Sequence, residues 1–165
     1  MGRNKSMSAP EHQRLVLGWR EWLSLPELGL PYIKAKIDTG ARTSALHAFE
    51  LTYFERDGLP FVRFGIHPLQ RRVDVQVLCT APVIDQRRVK DSGGHSERRY
   101  VICTPVAIGD DSWPIELTLT NRDTMGFRML LGRTAMHERV IVDPDASYLL
   151  GKPPQAWRKG LARTN

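Results

Sequence analysis

Apolar and polar residues alternate along much of this chain with the period of two that is typical of half-buried β-strands. In segment 32–37 the odd positions are apolar and the even positions are Tyr or Lys, and segments 72–79 and 113–120 repeat the alternation. Only 134–138 favours a helix, and a short one. Strands that follow one another with short turns predict an all-β barrel or sandwich with one short helix.

Length and composition fit one compact domain. The chain has 165 residues, 41% of them hydrophobic, which is enough for a single core. We expect a disordered tail over 1–13, a folded domain over 14–150 and a basic tail over 151–165. No apolar run approaches the roughly 20 residues of a membrane span, and no apolar signal segment follows the N-terminus. This predicts a cytoplasmic protein without membrane contact.

The first candidate for chemistry is Asp38, which follows segment 32–37 directly and should therefore lie where a strand ends. Thr39 supplies a hydroxyl that can lock the loop, and Gly40 lets another peptide approach closely. An aspartic protease presents its catalytic carboxylate in this way. Because Asp and Gly are also the commonest turn residues, the triplet alone is equally compatible with an ordinary turn.

A second motif near the other end of the chain favours the catalytic interpretation. Residues 127–133 read F-R-M-L-L-G-R, an apolar strand broken by a glycine and followed by an arginine. Together with D-T-G-A at 38–41, this motif resembles the retropepsin family, to which the retroviral proteases belong. The resemblance implies a single-lobe, closed β-barrel of the acid protease fold.

The resemblance also implies a role for each matching residue. Asp38 would be the catalytic carboxylate, Thr39 the hydroxyl that braces two loops against each other, and Gly40 and Ala41 the backbone that faces substrate. The segment Leu130-Leu131-Gly132-Arg133 would be the supporting strand, and its glycine would let that strand cross beneath the catalytic loop.

Further segments resemble one bacterial group within the retropepsin-like proteins. These segments are Arg88–His95, Glu97–Arg99, Ile115–Arg122 and Val142–Pro144. The group is called RimB-like or ATP-dependent zinc protease, and it is associated with RimK-type glutamate ligases. The zinc and the ATP of this label have no support in the sequence, because neither an H-E-x-x-H pair nor a G-x-x-x-x-G-K-S/T loop occurs. We expect neither a metal nor a cofactor.

Aspartic proteolysis needs two carboxylates that flank one water and share one proton, and this chain has a single D-T-G. The other D-S/T-G triplet begins at Asp91, which follows basic residues instead of an apolar strand. It lies 53 residues after Asp38, too close for a second lobe of about 100 residues. A two-fold homodimer with one Asp38 per subunit is the better source of the second carboxylate.

Residues 85–99 are glycine-rich at the centre and predict a hairpin between two strands. The resemblance implies that this hairpin is the flap that closes over substrate. Its candidate substrate contacts are Lys90, Ser92, Gly93, Gly94 and His95. A solvated, charged hairpin without a function is the alternative.

The charge near these motifs predicts the substrate class. Five residues of 85–99 are Arg or Lys and three are acidic, and Arg42 adds a cation where the retroviral relatives commonly carry an acid. A cationic cleft favours anionic substrates. We therefore expect the substrate to be an acidic or poly-glutamate protein tail linked to the ligase, with Arg42 and Arg133 as substrate contacts. A structural ion pair between Arg42 and a residue such as Glu97 is the alternative. The missing acid also leaves open how Arg133 is neutralised.

A noncatalytic regulator is the competing class, using the same fold to bind the ligase or ribosomal material. The net charge of +6 makes nucleic-acid contact worth considering. Nucleic acid is nevertheless not expected as a partner, because no recognised motif is present and the aromatic residues do not interleave with the basic clusters. Cys79 and Cys103 are expected to be buried, reduced thiols.

Overall fold

The computed structural model describes residues 13–69, 72–90, 93–122, 126–155 and 157, and these residues form a mostly β protein. The all-β prediction is confirmed. A single-turn helix, α1, spans Arg133–Met136. The strands are β1 (Leu15–Leu17), β2 (Arg20–Leu25), β3 (Leu30–Ile37), β4 (Ser44–His47), β5 (Phe49–Arg56), β6 (Leu59–Ile66), β7 (Val77–Pro82), β8 (Asp85–Lys90), β9 (Ser96–Ile108), β10 (Asp111–Thr120), β11 (Met129–Leu131) and β12 (Val140–Val142).

Seven strands share one sheet in the order β10-β4-β11-β3-β2-β9-β8, and β9 also pairs with β10. The first six of these strands therefore pair in a ring. β8 extends from the ring as a hairpin with β9 and, in the described part of the chain, ends the sheet. β5, β6 and β7 form a separate antiparallel sheet, and β1 pairs in parallel with β12.

The core follows from the alternation seen in the sequence. In β3 the odd positions from Ile33 to Ile37 are buried and the even positions between them are half-buried. β10 buries positions 113, 115 and 117 in alternation, and then buries all of 117–120. Burying a Leu or Ile side chain contributes about 1.5 to 3 kcal/mol relative to leaving it exposed, so the pattern fixes which face of each strand turns inward.

The strand predicted over 72–79 is wrong in its first half, because β7 begins only at Val77. The backbone N–H of Arg72 donates to the Leu69 carbonyl (3.3 Å) and not to a neighbouring strand. Val75 is buried, whereas Val73 is 64% exposed. Two residues that would share one face of a strand therefore differ in burial, and the alternation of the sequence does not hold in this loop.

Two smaller predictions also need correction. The helix expected over 134–138 ends at Met136, because His137 leaves the helical conformation (ψ 124°) and Glu138 has a left-handed backbone (φ 63°). Cys103 is exposed on β9, where its side chain points away from the core. Cys79 is buried as expected, and burial raises the pKa of its thiol to about 11.

Most of the predicted tail over 1–13 lies outside the described residues, as do 156 and 158–165 of the predicted C-terminal tail. The described part of that second tail contacts the domain, since the Trp157 ring lies 4.9 Å from the Tyr32 ring in an edge-on arrangement. No helix in the described ranges is long and apolar enough to span a membrane.

Candidate active site

The two sequence motifs meet in space because β11 lies next to β3. The strands run parallel, with Leu131 opposite Ile37. Asp38 follows directly, and its backbone N–H donates to the Leu131 carbonyl (2.9 Å). The backbone N–H of Ile37 donates to the Trp19 carbonyl (2.8 Å). Asp38 is half-buried, and the strand of the L-L-G-R motif fixes its backbone.

The D-T-G loop holds the Asp38 carboxylate in one orientation. The Gly40 N–H donates to Asp38 Oδ1 (2.9 Å), and the Ala41 N–H donates to the Asp38 carbonyl (3.2 Å). A Cβ at position 40 would lie 3.2 Å from the same carboxylate oxygen, so a larger residue would crowd it. Thr39 is exposed, and its hydroxyl has no hydrogen-bond partner among the described residues.

Gly132 lets the end of β11 pass close to the loop that follows D-T-G. A Cβ on Gly132 would lie 2.6 Å from the carbonyl carbon of Thr43 and 2.8 Å from its oxygen, closer than any side chain tolerates. The Gly132 N–H donates to the hydroxyl of the buried Ser44 (3.0 Å). Sequence reasoning missed Ser44, for which a small hydroxyl shortly after D-T-G-A was the available signal.

Arg133 is held by the D-T-G loop. Its backbone N–H donates to the Ala41 carbonyl (2.8 Å). Its guanidinium Nη1 donates to the carbonyls of Thr39 (3.2 Å) and Gly40 (3.4 Å). Two backbone carbonyls therefore take the place of the acid that position 42 lacks, and the exposed Arg133 supports the D-T-G loop.

A groove of about 820 Å³ lies beside this loop. Its lining residues are Arg42, Thr43, Arg87, Arg88, Val89, Lys90, Pro114, Ile115, Glu116, Thr118, Thr134 and Ala135. Arg87 binds both Asp85 and Glu116 (2.7 Å each), so the acid of the groove is already paired. Arg42 and Lys90 form no ion pair with any described residue, and Arg88 has only a long hydrogen bond to the Ser96 hydroxyl (3.5 Å). The groove therefore has an excess of positive charge.

The predicted hairpin is present, because β8 and β9 pair from Asp85 opposite Val101 to Lys90 opposite Ser96. β8 lines the groove that the loop after β3 also lines. Of the predicted tip, Ser92 lies outside the described residues, and Gly94 has a left-handed backbone (φ 86°) that favours glycine. The structure therefore brings Arg42 and Lys90 to one groove.

Comparison with known proteins agrees with this geometry. Residues 16–153 match the family described as retropepsin-like aspartic endopeptidase RimB. The chain belongs to this family. The family that the D-T-G-A and L-L-G-R motifs predicted is thereby confirmed.

The relatives of this RimB-like chain include longer proteins. Probable alpha-L-glutamate ligases of Parasynechococcus marenigrum and Shewanella pealeana are 52% and 48% identical to it over 139 residues. Each match covers 84% of this chain, and the chain spans only 30% of the length of these curated relatives. A crystal structure of a Legionella pneumophila protein of unknown function is 27% identical, with a TM-score of 0.68 over 82% of this chain and 97% of that one.

A polar network, which sequence reasoning missed, joins the hairpin of this RimB-like chain to the end of β11. Arg99 is only 8% exposed and donates to Glu97 Oε1 (2.7 Å) and to the Thr118 hydroxyl (3.4 Å). The Thr118 hydroxyl in turn donates to the Ser44 carbonyl (3.2 Å), and Ser44 holds Gly132. Hydrogen bonds through Arg99, Thr118 and Ser44 therefore connect the β9 strand of the hairpin to the end of β11.

Glu97 is the charged end of this network. It accepts a hydrogen bond from the Thr120 hydroxyl (2.6 Å), and Arg122 Nε lies 3.5 Å from its second oxygen. Burial acts to raise the pKa of Glu97, but the hydrogen bonds from Thr120 and Arg99 and the charges of Arg99 and Arg122 outweigh it and lower the pKa. Because these groups occupy the carboxylate, the alternative ion pair between Glu97 and Arg42 does not form.

The zinc in the group's label has no ligand set in the described part of the chain. No group of three or more His, Cys, Asp or Glu side chains is placed there to hold a metal ion. Zinc sites in proteins require at least three such ligands.

Proposed function

We propose that this chain is an aspartic endopeptidase that works as a homodimer with one Asp38 from each subunit. The observation that supports this most directly is the Asp38 carboxylate, which the Gly40 N–H holds at the end of β3 beside β11. We interpret the ring of strand pairings as the single-lobe barrel of the acid protease fold, which contributes one D-T-G loop. Two subunits would complete the pair of carboxylates.

In the proposed reaction the two carboxylates divide the acid and base work. The ionised Asp38 takes a proton from a water between the pair, and the water oxygen attacks the carbonyl carbon of the peptide bond. The protonated Asp38 gives its proton to the carbonyl oxygen. When the tetrahedral intermediate collapses, the C–N bond breaks and the leaving nitrogen takes a proton from one carboxyl group. A hydroxyl of the intermediate returns its proton to the other carboxylate, so one water is consumed and the pair again shares one proton. The exposed Thr39 hydroxyls would brace the two loops at the axis.

The charge of the groove supports the proposal that the substrate is acidic, in particular a poly-glutamate protein tail. Arg42, Arg88 and Lys90 contribute positive charge that the lining residues do not balance. A hydrogen bond between such a cation and a carboxylate contributes about 1.5 to 3 kcal/mol when well formed, and less at exposed positions. An extended glutamate chain presents a carboxylate on one face at every second residue. Gly93, Gly94 and His95 at the hairpin tip are proposed to close over it.

The names of the relatives support a link to glutamate ligation. The matched region makes up 30% of proteins named as probable alpha-L-glutamate ligases. We propose that this chain acts on the product of such a ligase. The same observation favours a second candidate function, in which the domain is a noncatalytic regulator that binds the ligase.

The test is Asp38→Asn, with the exposed Asp110→Asn as the matched control. Cleavage of an oligo-glutamate peptide is followed by mass spectrometry, and the same samples are sedimented. We expect a wild-type dimer that cleaves, and an Asp38→Asn dimer whose cleavage falls by at least about a thousandfold. Asp110→Asn should match the wild type.

Three results would count against this proposal. Cleavage by a strict monomer contradicts the shared site, and cleavage by Asp38→Asn contradicts the catalytic role. An Asp38→Asn protein that still alters the activity of a glutamate ligase, as the wild type does, would establish the regulator in place of the peptidase.

A further inference from the structure

The outer face of β2 and β3 carries aromatic and basic side chains together. Trp22 lies directly opposite Lys34 in the antiparallel pair. Arg20 lies on the same face of β2 as Trp22, because side chains two residues apart share a face. The buried carboxylate of Glu21 accepts hydrogen bonds from the backbone N–H groups of residues 149 and 150 (3.0 and 3.1 Å), which holds the segment around Tyr148 against this edge.

Three cations converge on the Tyr148 ring. The Arg20 guanidinium carbon lies 4.8 Å from the ring centroid, Lys152 Nζ lies 4.9 Å from it and Lys34 Nζ lies 5.7 Å from it. Arg20 also lies over the Trp19 ring (4.6 Å), and Lys34 over the Trp22 ring (5.8 Å). We name these six residues the aromatic-cation cluster: Trp19, Arg20, Trp22, Lys34, Tyr148 and Lys152.

The charge of this cluster is not balanced within the described part of the chain. None of its three cations forms an ion pair with a described residue, and Arg20 has one hydrogen bond, to the Ser147 hydroxyl (3.2 Å). Aromatic rings attract cations but do not neutralise them. Tyr148 also has a left-handed backbone (φ 56°), which is strained for a non-glycine residue and occurs preferentially at functional sites.

The rings distinguish this cluster from the groove beside Asp38. An acidic peptide would gain from the cations but not from the rings, whose faces carry the negative part of the aromatic quadrupole. A single-stranded nucleic acid offers phosphates to the cations and flat bases to the rings, which is how sequence-independent binding proteins hold single strands. Trp22 and Trp157 lie on this face, since Trp157 contacts Tyr32 of β3, and Trp19 lies beside it under the Arg20 guanidinium.

We propose that the aromatic-cation cluster binds single-stranded nucleic acid. Arg20, Lys34 and Lys152 contact phosphates, and bases stack at the edge formed by Trp19 and Trp22. Trp19 is 36% exposed, which leaves room for such contact. The binding is independent of sequence and sensitive to salt, and it does not involve Asp38.

The test compares two double variants that remove the same charge. Lys34→Gln with Lys152→Gln removes two cations of the cluster. Arg56→Gln with Arg63→Gln removes two cations from the rings of Phe54 and Phe61 on another sheet. Fluorescence anisotropy measures binding of labelled oligo-uridine and oligo-thymidine at low and high salt, and thermal unfolding checks that each variant is folded.

We expect the cluster variant to weaken binding at least about tenfold and to reduce the salt slope by about 1.4, because each lost single-strand phosphate contact reduces it by about 0.7. The control variant should change the dissociation constant less than about threefold. Trp19→Leu and Trp22→Leu should weaken binding and reduce the fluorescence quenching on stacking. Tighter binding of oligo-uridine than of oligo-thymidine would identify RNA as the natural ligand, and the reverse result DNA.

Several results would overturn the proposal. One is that neither oligonucleotide binds at low salt. Another is that both double variants lose binding affinity equally. A third is that an oligo-glutamate peptide of equal charge competes as well as the nucleic acid does. Asp38→Asn must bind the oligonucleotide as the wild type does, so failure of the proposed peptidase activity would leave this result unaffected.

Discussion

Two cationic regions of the molecule differ in what surrounds their charges. The groove beside the D-T-G loop contains Arg42, Arg88 and Lys90, and none of its described lining residues is aromatic. The aromatic-cation cluster on β2 and β3 places its cations over the rings of Trp19, Trp22 and Tyr148. Positive charge alone attracts any anion. The neighbouring side chains decide between a carboxylate, which needs only donors, and a nucleotide, which also offers a flat ring.

Substitutions at two glycines should separate the regions most strongly. In Gly132→Ala the new methyl group would lie 2.6 Å from the Thr43 carbonyl carbon, beside the groove. In Gly18→Ala it would lie 2.2 Å from the Ala146 carbonyl oxygen, beside the cluster. Such overpacking costs about 1 to 3 kcal/mol of stability.

We expect Gly132→Ala to abolish peptide cleavage and keep oligonucleotide binding. We expect Gly18→Ala to weaken oligonucleotide binding more than cleavage, since the Trp19 carbonyl beside it also accepts from the Ile37 N–H (2.8 Å). We would measure peptide cleavage and oligonucleotide anisotropy for both variants, at a temperature where circular dichroism shows that they are folded. Loss of both activities in both variants would show that the two regions are not independent.

Two carboxylates, the half-buried Glu97 and the buried Glu21, allow a milder comparison. Glu97 holds Arg99 on the β9 strand of the hairpin, and Glu21 holds the segment that carries Tyr148. Glu97→Gln leaves the buried Arg99 without its charge partner, and we expect the free energy of unfolding to fall by about 1 to 3 kcal/mol. Peptide cleavage should fall with it. Glu21→Gln should weaken oligonucleotide binding instead.

The pH dependence of stability tests the first of these substitutions. The pKa of Glu97 is lowered in the folded protein from its ordinary 4.5, so its ionised form contributes stability above that pH. This contribution is lost as the pH falls through the lowered pKa. Urea unfolding of wild type and Glu97→Gln should therefore differ at neutral pH and converge in acid. A constant difference at every pH would contradict the role of the carboxylate charge.

The smallest expected effect is that of Arg42→Glu. Reversal of this exposed charge should weaken oligo-glutamate binding about tenfold at low salt and less at high salt, because surface electrostatics are screened. Arg56→Glu, on another sheet, is the matched control. Binding of oligo-glutamate that is unchanged at low salt would show that Arg42 does not contact the substrate. Oligonucleotide binding should be unaffected.

The sequence predicted the groove better than the cluster because the two are assembled differently. The strand before Asp38 and the hairpin over 85–99 each come from one continuous segment, so the alternation and the glycines predict them. The cluster brings Trp19 and Lys34 together with Tyr148, which is distant in the chain. No local sequence pattern predicts such a contact. The network between Glu97 and Ser44 depends on tertiary packing in the same way.

β8 has a consequence for self-association. It ends its sheet in the described part of the chain, so its outer edge presents backbone donors and acceptors that an extended polypeptide can join. Asp85, Arg87, Arg88 and Lys90 lie along this short strand. Like charges on the strand discourage the edges of two copies from pairing, as charged edge strands do in other β proteins. The same edge would pair with a negatively charged peptide strand. One set of charges would therefore both allow such a peptide to bind and prevent aggregation.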